Sequence, residues 1–189
     1  MKEVDLDNIV NLLDDPDNEV YKLIAADIMS QGIKVVPILE KAWYRTANTI
    51  IQHRIEDIFQ EMHEKEARQG FAEWMSNGAV DILKGAYWIS KLQFPGLKFT
   101  KLMKAVEDIK MNIWLNSNST PNPFENLSVI NRALYEVYGF NISKENSSLN
   151  PNLCYVNYLI DNKRGNAVSM GVLYLAVAQR LHLPVHGVC

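Results

Sequence analysis

The sequence has few of the features that mark secreted, membrane-spanning or nucleic-acid-binding proteins. It has only two cysteines among 189 residues, Cys154 and Cys189, which are too few for a disulfide scaffold and fit a reducing compartment. Lysine and arginine number 19 against 22 aspartates and glutamates, and no basic run occurs, so we expect no nucleic-acid partner. The N-terminal residues mix acids into their apolar positions and lack the apolar run of a signal peptide. We therefore expect a cytoplasmic protein.

The longest apolar stretch falls short of a membrane span. It covers residues 167–178, is interrupted by Ser169 and is followed by Gln179 and Arg180, whereas about 20 apolar residues are needed to cross a bilayer. We interpret it as a buried helix and expect no membrane partner. Hydrophobic residues make up 48% of the chain, which is enough for one large domain or two small ones with a hydrophobic core.

Apolar residues recur with helical spacing through the first 66 residues, which predicts four helices. The first is capped by Asp5, the second begins at Asp15-Pro16 and ends at Gly32, the third begins near Val36-Pro37, and the fourth covers 49–66. Short connections between them favour antiparallel packing. The side chains that we expect to face inward are Ile9, Leu12, Leu13, Val20, Leu23, Ile24, Ile28, Ile38, Leu39, Trp43, Ile51, Ile55, Ile58, Phe59 and Met62.

The same region resembles a HEAT repeat, a helical hairpin that stacks on copies of itself. The resemblance rests on the Asp-Pro turn within 12–20, on small residues at 25–26, on Gly32, and on the Val-Pro pair within 36–39. It covers roughly the first 65 residues. A single hairpin cannot bury its apolar face, so we expect this region to pack on the rest of the chain.

Residues 78–152 predict three further helices separated by polar loops. The first ends at Phe94-Pro95-Gly96, the second covers about 99–113, and the third begins near Pro123 and ends at Gly139. The polar tract 116–122 predicts a linker at a subdomain boundary. The expected inward positions are Val80, Leu83, Ala86, Tyr87, Ile89, Phe99, Leu102, Met103, Val106, Ile109, Ile113, Leu127, Ile130, Leu134 and Val137.

From Asn152 onward the pattern predicts a short helix over 154–160, a turn at 163–165 and a final helix over 166–182. The final helix is apolar on nearly every side, so we expect other elements to surround it. Pro184 follows it, and the β-branched residues nearby predict the beginning of a strand over 183–188.

This arrangement resembles the core of transglutaminase-like proteins, and more closely the bacterial SirB family within them. The resemblance covers roughly 78–189 and rests on residues 94–97, 134–140, 163–165, 173–175 and 180–184, together with Ser169. It implies the front half of a papain-like fold. In that fold a nucleophilic cysteine lies at the start of the buried helix, where the helix dipole lowers its pKa, and a histidine and an aspartate follow from neighbouring strands.

The sequence departs from the catalytic pattern of that family at two points. Ala167 stands where active transglutaminases have the cysteine, and the resemblance implies that the SirB branch lacks this cysteine but keeps Ser169. In addition, the sequence reaches Cys189 before the segment in which the histidine and the aspartate are expected. We therefore lean towards a protein without enzymatic activity.

Two residues are candidate nucleophiles. Ser169 would need a histidine from beyond residue 189, and the simpler alternative is a hydrogen bond to a backbone carbonyl. Cys154 is a candidate thiol, although small apolar cysteines on helices are usually packed in the core. We expect a structural role for both, and the sequence gives no indication of the chemistry of Cys189.

We expect no metal and no cofactor. His53 and Asp57 lie on the polar face of the fourth predicted helix at a spacing that fits two metal ligands, but an exposed charged face is the commoner explanation. His182 and His186 have no carboxylate near them in sequence, so we assign them no function.

Six aromatic residues allow two interpretations. They recur at helical spacing and are expected in the core, but amphipathic aromatics also line protein-binding grooves. They are Trp43, Tyr44, Trp74, Tyr87, Trp88 and Trp114.

We predict a mainly α fold in which HEAT-like helical hairpins, residues 1–77, pack on a helical, transglutaminase-like (α+β) domain, residues 78–189, that is truncated before its sheet. The favoured function is that of a non-catalytic protein-binding or regulatory protein with an unidentified protein partner. The alternative is a transglutaminase-like hydrolase or acyltransferase whose base lies beyond residue 189. An uncovered final helix would also favour a homodimer.

Overall fold

The computed structural model describes residues 12–116, 123–145 and 148–187. Over these residues the fold is mainly helical, as predicted. The chain divides into two compact units, one within Met1–Glu66 and the other within Ala67–Cys189, and each has its own hydrophobic core. The division lies inside a long helix, before the boundary at residue 77 that the sequence suggested for the two domains, and that boundary stays a prediction. Residues 117–122 of the predicted linker lie outside the described part of the chain.

The first unit contains helix α1 (Asn18–Ser30), helix α2 (Val36–Arg45) and the first part of helix α3 (Thr49–Ser76). Helix α1 begins two residues later than predicted, because the Asp15 side chain accepts a hydrogen bond from the Asp17 N–H at 2.8 Å and holds a turn there. Asp17 then caps the helix. Gly32, with φ +66°, follows the end of α1 as predicted.

Aliphatic side chains make up the buried core of the first unit, and most of them were predicted. Leu23 is an error, since it is 73% exposed while Ala25 and Ile28 face the core. Helix α3 continues to Ser76, beyond the predicted end at residue 66, because no proline interrupts it. The predicted helix capped by Asp5 lies outside the described residues. The buried positions are Leu13, Ala25, Ile28, Val35, Leu39, Ala42, Ile51, Ile55 and Ile58.

Arg54 joins the first residues of this unit to helix α3. Its Nη1 donates hydrogen bonds to the Leu13 carbonyl at 2.6 Å and to the Asp15 carbonyl at 2.7 Å. Its guanidinium carbon lies 4.5 Å from the centroid of the Tyr21 ring, a cation–π contact. One cation therefore donates to two backbone carbonyls that precede helix α1.

In the described part of the second unit, the end of α3 is followed by five further α-helices. They are α4 (Ile82–Gln93), α5 (Phe99–Leu115), α6 (Pro123–Asn131), α7 (Val156–Asn162) and α8 (Ala167–Arg180). Two strands of two residues each, β1 (Asn141–Ile142) and β2 (Arg164–Gly165), pair in parallel. None of the helices in the described ranges is long and apolar enough to span a membrane.

Helices α3 and α4 approach closely through two reciprocal contacts between a glycine and a tryptophan. The indole of Trp88 lies against Gly70, and the indole of Trp74 lies against Gly85, where a Cβ atom would overlap the ring in each case. The Trp74 Nε1 also donates to the Asp81 carbonyl at 2.8 Å. Glycine is therefore needed at both positions to leave room for the opposite indole.

Helix α8 lies in the core of the second unit and packs against α4, α5 and α7. Its buried side includes Met170, Leu173 and Val177, as predicted. The expectation that it is surrounded on every side is wrong, since Val168 is 63% exposed and Ala167 is also exposed. The helix therefore has more apolar residues than the described core buries.

The helix that begins at Pro123 changes its winding before it ends. Residues Arg132–Val137 form a π-helical turn, in which the Tyr138 N–H donates to the Ala133 carbonyl five residues earlier at 2.9 Å. Leu134 is buried as predicted, but Val137 is 57% exposed because the wider turn rotates it away from the core. Gly139, with φ +69°, ends the segment as predicted.

Several further predictions need correction. Arg164 and Gly165 form a strand that pairs with β1, not a turn. Cys154 ends a 3-10 helix (Pro151–Cys154) and is exposed, not packed in a core helix. Residues 183–187 do not form a strand, since both strands in the described part of the chain lie elsewhere and pair with each other. Other positions predicted to be buried are exposed in part or in full: Leu12, Val80, Ile89 and Met103.

Candidate functional site

The beginning of α8 is the place where the resemblance implies an active site. Strand β2, the 3-10 helix Pro151–Cys154 and the first turn of α8 meet there. The Asn166 N–H donates to the Leu153 carbonyl at 3.0 Å, which ties the start of α8 to the 3-10 helix. The backbone of three elements therefore fixes the position of this helix end.

Asn166 and Ser169 satisfy the first backbone groups of α8 with a capping box. The Asn166 Oδ1 accepts from the N–H groups of Val168 and Ser169, both at 3.0 Å. In return the Ser169 Oγ accepts from the Asn166 N–H at 3.1 Å. Free N–H groups at a helix start are what would bind an anion or an oxyanion. Here the protein's own side chains occupy most of them.

Ser169 is fully buried, with 0% of its surface exposed. Its hydroxyl donates to the Leu153 carbonyl at 2.7 Å and lies 3.2 Å from the Asn166 carbonyl. A hydroxyl that donates to a backbone carbonyl and lies out of reach of solvent holds two elements together. This geometry favours the structural interpretation of Ser169, and it brings no base to the hydroxyl among the described residues.

Gly165 makes this buried hydrogen bond possible. A Cβ atom at Gly165 would collide with the Ser169 Oγ, and it would lie 3.0 Å from the Leu159 Cδ1. Gly165 is itself buried. The Gly165-Asn166-Ala167-Val168-Ser169 segment is therefore a packing and capping arrangement in which glycine gives the serine its space.

Two residues near this helix end remain exposed to solvent. Ala167 occupies the first helical position and presents only a methyl group. Cys154 is exposed, and its Sγ accepts a hydrogen bond from the Asn166 Nδ2 at 3.0 Å. The structure therefore places the candidate thiol beside the start of α8, through a residue of another element.

Among the described residues, no side-chain hydrogen bond joins a histidine to this site. His182 lies just beyond Arg180, at the opposite end of α8 from Ala167, and the length of the helix corresponds to roughly 20 Å at the α-helical rise. It adopts a left-handed conformation with φ +57° at the end of α8. His53 is exposed, and its Nδ1 lies 3.3 Å from Glu56. Across residues 12–116, 123–145 and 148–187, no group of three or more histidine, cysteine, aspartate or glutamate side chains is placed to hold a metal ion.

Lys163, in the predicted 163–165 motif, has a left-handed backbone conformation and an aromatic contact. It ends α7 in the left-handed conformation, with φ +60°. Its Nζ lies 4.2 Å from the centroid of the Phe140 ring. Partial burial there lowers the pKa of Lys163 from its ordinary value, although Asp161 acts in the opposite direction. The aromatic contact keeps this cation beside the two short strands.

Sequence reasoning missed two asparagines. Asn166 organises the start of α8, and an asparagine followed three residues later by serine at the start of an apolar run was a usable indication of a cap. Asn157 is 5% exposed, and its Oδ1 has no hydrogen-bond partner among the described residues. No sequence pattern distinguishes such an asparagine from an exposed one.

Residues 100–189 match the family model described as the Transglutaminase-like superfamily. The match begins in the first turn of α5 and includes β1, β2 and the whole of α8. This part of the chain therefore contains a transglutaminase-like domain. No curated protein and no solved structure matches the chain. The SirB branch and the HEAT-like region remain predictions.

Proposed function

We propose that this protein is a non-catalytic protein-binding or regulatory protein whose transglutaminase-like domain lacks its nucleophile. The observation behind the proposal is the exposed methyl group of Ala167 at the first position of α8. A methyl group cannot attack an acyl carbon. The hydroxyl of Ser169, two residues later, is buried and bonded to the backbone. We also propose that this domain belongs to the SirB branch and that HEAT-like hairpins precede it in the chain. We further propose that the protein is bacterial and cytoplasmic.

An exposed apolar stripe on α5 supports the protein-binding part of this proposal. Met103, Met111 and Leu115 are spaced by multiples of four residues, and Trp114 lies beside the last of them. Trp114 and Leu115 are each 68% exposed. Methionine and tryptophan are enriched in the centres of protein interfaces. Of the six aromatics with two interpretations, Trp114 and Tyr44 are the exposed ones, while Tyr87 is buried.

The catalytic half of the proposal is tested with an amine-incorporation assay and a thioester-hydrolysis assay. We expect the full chain to show no turnover above a heat-inactivated control. We also expect Ala167→Cys to remain inactive, because His182, at the opposite end of α8, is too far from this position to serve as base. Turnover by the unmodified chain that Cys154→Ser abolishes would refute the proposal.

The position of Cys154 favours one alternative function. Its exposed Sγ, beside the start of α8, has the access that a nucleophilic thiol requires. In that case the chain would be a transglutaminase-like hydrolase or acyltransferase with its base beyond residue 189. The test is the rate of iodoacetamide alkylation of Cys154 in the full chain, measured by peptide mass spectrometry beside free cysteine. A rate no faster than that of the free amino acid removes this alternative.

A second copy of the chain is the partner that can be tested first. We expect sedimentation velocity to show a concentration-dependent dimer, and we expect Trp114→Glu to weaken it. Tyr44→Glu is the matched control, because it adds the same charge at another mostly exposed aromatic residue, outside the stripe. A monomer at every concentration, or equal weakening by both variants, would contradict a homodimer through α5.

A further inference from the structure

The exposed side of α5 carries a regular row of four residues. They are spaced by four, three and four residues, as positions on one side of a helix are. All four are exposed, Met111 by 57% and Leu115 by 68%. The buried residues of α5 have the same spacing, and the row lies on the side opposite to them. The members of this outer row are Lys104, Asp108, Met111 and Leu115.

Two charges of the outer row are not used within the described part of the chain. The other charged residues of α5 have ion-pair partners at 2.7–3.1 Å, and they are Lys101, Glu107 and Lys110. Lys104 and Asp108 have no ion-pair partner among the described residues. A lysine four residues before an acid has the less favourable order for a pair within one helix. The two charges are therefore available to a partner.

An apolar recess lies at the opposite end of α5 from Leu115. A cavity of about 550 Å³ is lined there by Phe94 and Leu97, and Lys104 of the outer row also lines it. Leu97 precedes Lys104 by seven residues, which continues the spacing of the row. One face of α5 therefore presents an exposed leucine at its end, two unused charges near its middle and a recess at its start.

Two copies of α5 that run antiparallel bring these features together. Lys104 of one copy then faces Asp108 of the other, and the midpoint of these two positions is residue 106. Leu115 and Leu97 have the same midpoint, so they face each other in the same arrangement. A two-fold axis repeats each contact. Charge and shape therefore select the same register.

Other arrangements of two α5 helices oppose like charges or leave charges unpaired. In a parallel pair, Lys104 faces Lys104 and Asp108 faces Asp108. In an antiparallel pair shifted by seven residues, Lys104 faces Lys101 or Leu115, depending on the direction of the shift. Like charges that face each other and charges that are buried without a partner both destabilise an interface. Electrostatics therefore favours the register that pairs Lys104 with Asp108.

We propose that the protein forms a two-fold symmetric dimer through antiparallel α5 helices, in which Lys104 of each copy pairs with Asp108 of the other. Leu115 of each copy enters the recess at the start of the other copy's α5. The two ion pairs set the register, and Met111 and Leu115 supply the apolar contact. This inference rests on the protein-binding part of the proposed function, to which it adds the orientation and the residues that select the partner.

Sedimentation velocity of the full chain in low-salt buffer tests this register with charge reversals. We expect Lys104→Glu and Asp108→Lys each to weaken the dimer by about tenfold, because each replaces two attractions with two repulsions. Lys84→Glu is the matched control, at an exposed residue of α4 outside the outer row, and should leave the affinity unchanged. All three positions are exposed, so the circular dichroism of each variant should match that of the unmodified chain.

A mixture of the two reversal variants gives the sharpest result. In a mixed dimer each new charge faces its opposite, so equal amounts of Lys104→Glu and Asp108→Lys should associate with nearly the affinity of the unmodified chain. The double variant Lys104→Glu/Asp108→Lys should recover the dimer in the same way. It gives the same decision without mixing if one of the single variants does not fold.

Three results would overturn the inference. A dimer that Trp114→Glu weakens but the charge reversals leave intact would show that the register is wrong, while the homodimer of the proposed function stands. Weakening by the reversals without recovery in the mixture or in the double variant would show that the two charges do not face each other. A monomer of the unmodified chain at every concentration would remove both the register and the homodimer.

Discussion

Helices α8 and α5 begin in opposite ways. At α8 the side chains of Asn166 and Ser169 occupy the backbone donors, and a buried hydroxyl ties the helix to the preceding element. At α5 no side chain caps the helix, and lysines surround an open cavity. The family resemblance directs attention to α8, yet the helix start without a side-chain cap is that of α5. A helix start that is closed by its own side chains stabilises the fold, and one that is left open is available to a ligand.

The largest effect should come from breaking the closed arrangement at Gly165. We expect Gly165→Val to lower the free energy of unfolding by about 3 kcal/mol, because the new side chain collides with Ser169 and Leu159. Urea unfolding measures this change. Gly171→Ala in the same helix is the control, since nothing lies within 4 Å of its added Cβ, and it should stabilise by about 0.5–1 kcal/mol. Similar losses for both would contradict the packing explanation.

Ser169→Ala should produce the next largest loss. It removes the buried donor to the Leu153 carbonyl and the acceptor for the Asn166 N–H, for which we expect about 1–2 kcal/mol. Thermal unfolding followed by circular dichroism measures the difference. Ser128→Ala, at an exposed position in α6, should have little effect. A loss of activity in Ser169→Ala without a loss of stability would instead support a catalytic serine.

Giving α5 a cap should convert its open start into a closed one. Lys98 has the extended conformation of a capping residue, with φ −104° and ψ 131°. We therefore expect Lys98→Asp to stabilise the fold by about 1 kcal/mol, as measured by urea unfolding. Lys98→Ala, which removes the charge without adding a cap, should bring no such gain. Equal stability of the two variants would show that the new carboxylate does not cap α5.

The smallest expected change concerns Asn157. Replacing an acceptor that has no partner with leucine of similar size should change the free energy of unfolding by less than about 1 kcal/mol. Urea unfolding tests this. A loss of more than about 2 kcal/mol would show that Asn157 is already satisfied in the folded protein, which would contradict the contrast with Ser169.

Helical periodicity predicted most of the core, because a stripe of aliphatic residues on a regular helix has one way to face inward. The prediction was wrong where the backbone departs from regularity. Val137 is the last residue of a π-helical turn, and Arg164 belongs to a strand too short to show alternation. The π-helical turn inserts an extra residue into the helix, and the strand depends on hydrogen bonds between residues distant in sequence. A periodic pattern contains neither kind of information.

The candidate site was less predictable than the fold. Residue type and position within one helix were enough to note the methyl group of Ala167 and to predict a structural role for Ser169, which stays a prediction. The nearness of Cys154 to the start of α8 depends on how a 3-10 helix folds back on β2. The cavity depends on lysines and an asparagine from two helices. Such placements follow from tertiary packing, which a single sequence does not reveal.

The paired contacts between α3 and α4 restrict how this part of the chain can change. Because Trp88 fills the space over Gly70 and Trp74 fills the space over Gly85, a larger residue at either glycine requires a smaller ring on the opposite helix. Gly85 and Trp74 should therefore tolerate replacement only as a couple, so that a double substitution restores what each single one loses. In each pair, the glycine and the tryptophan together fill a fixed volume between the two helices.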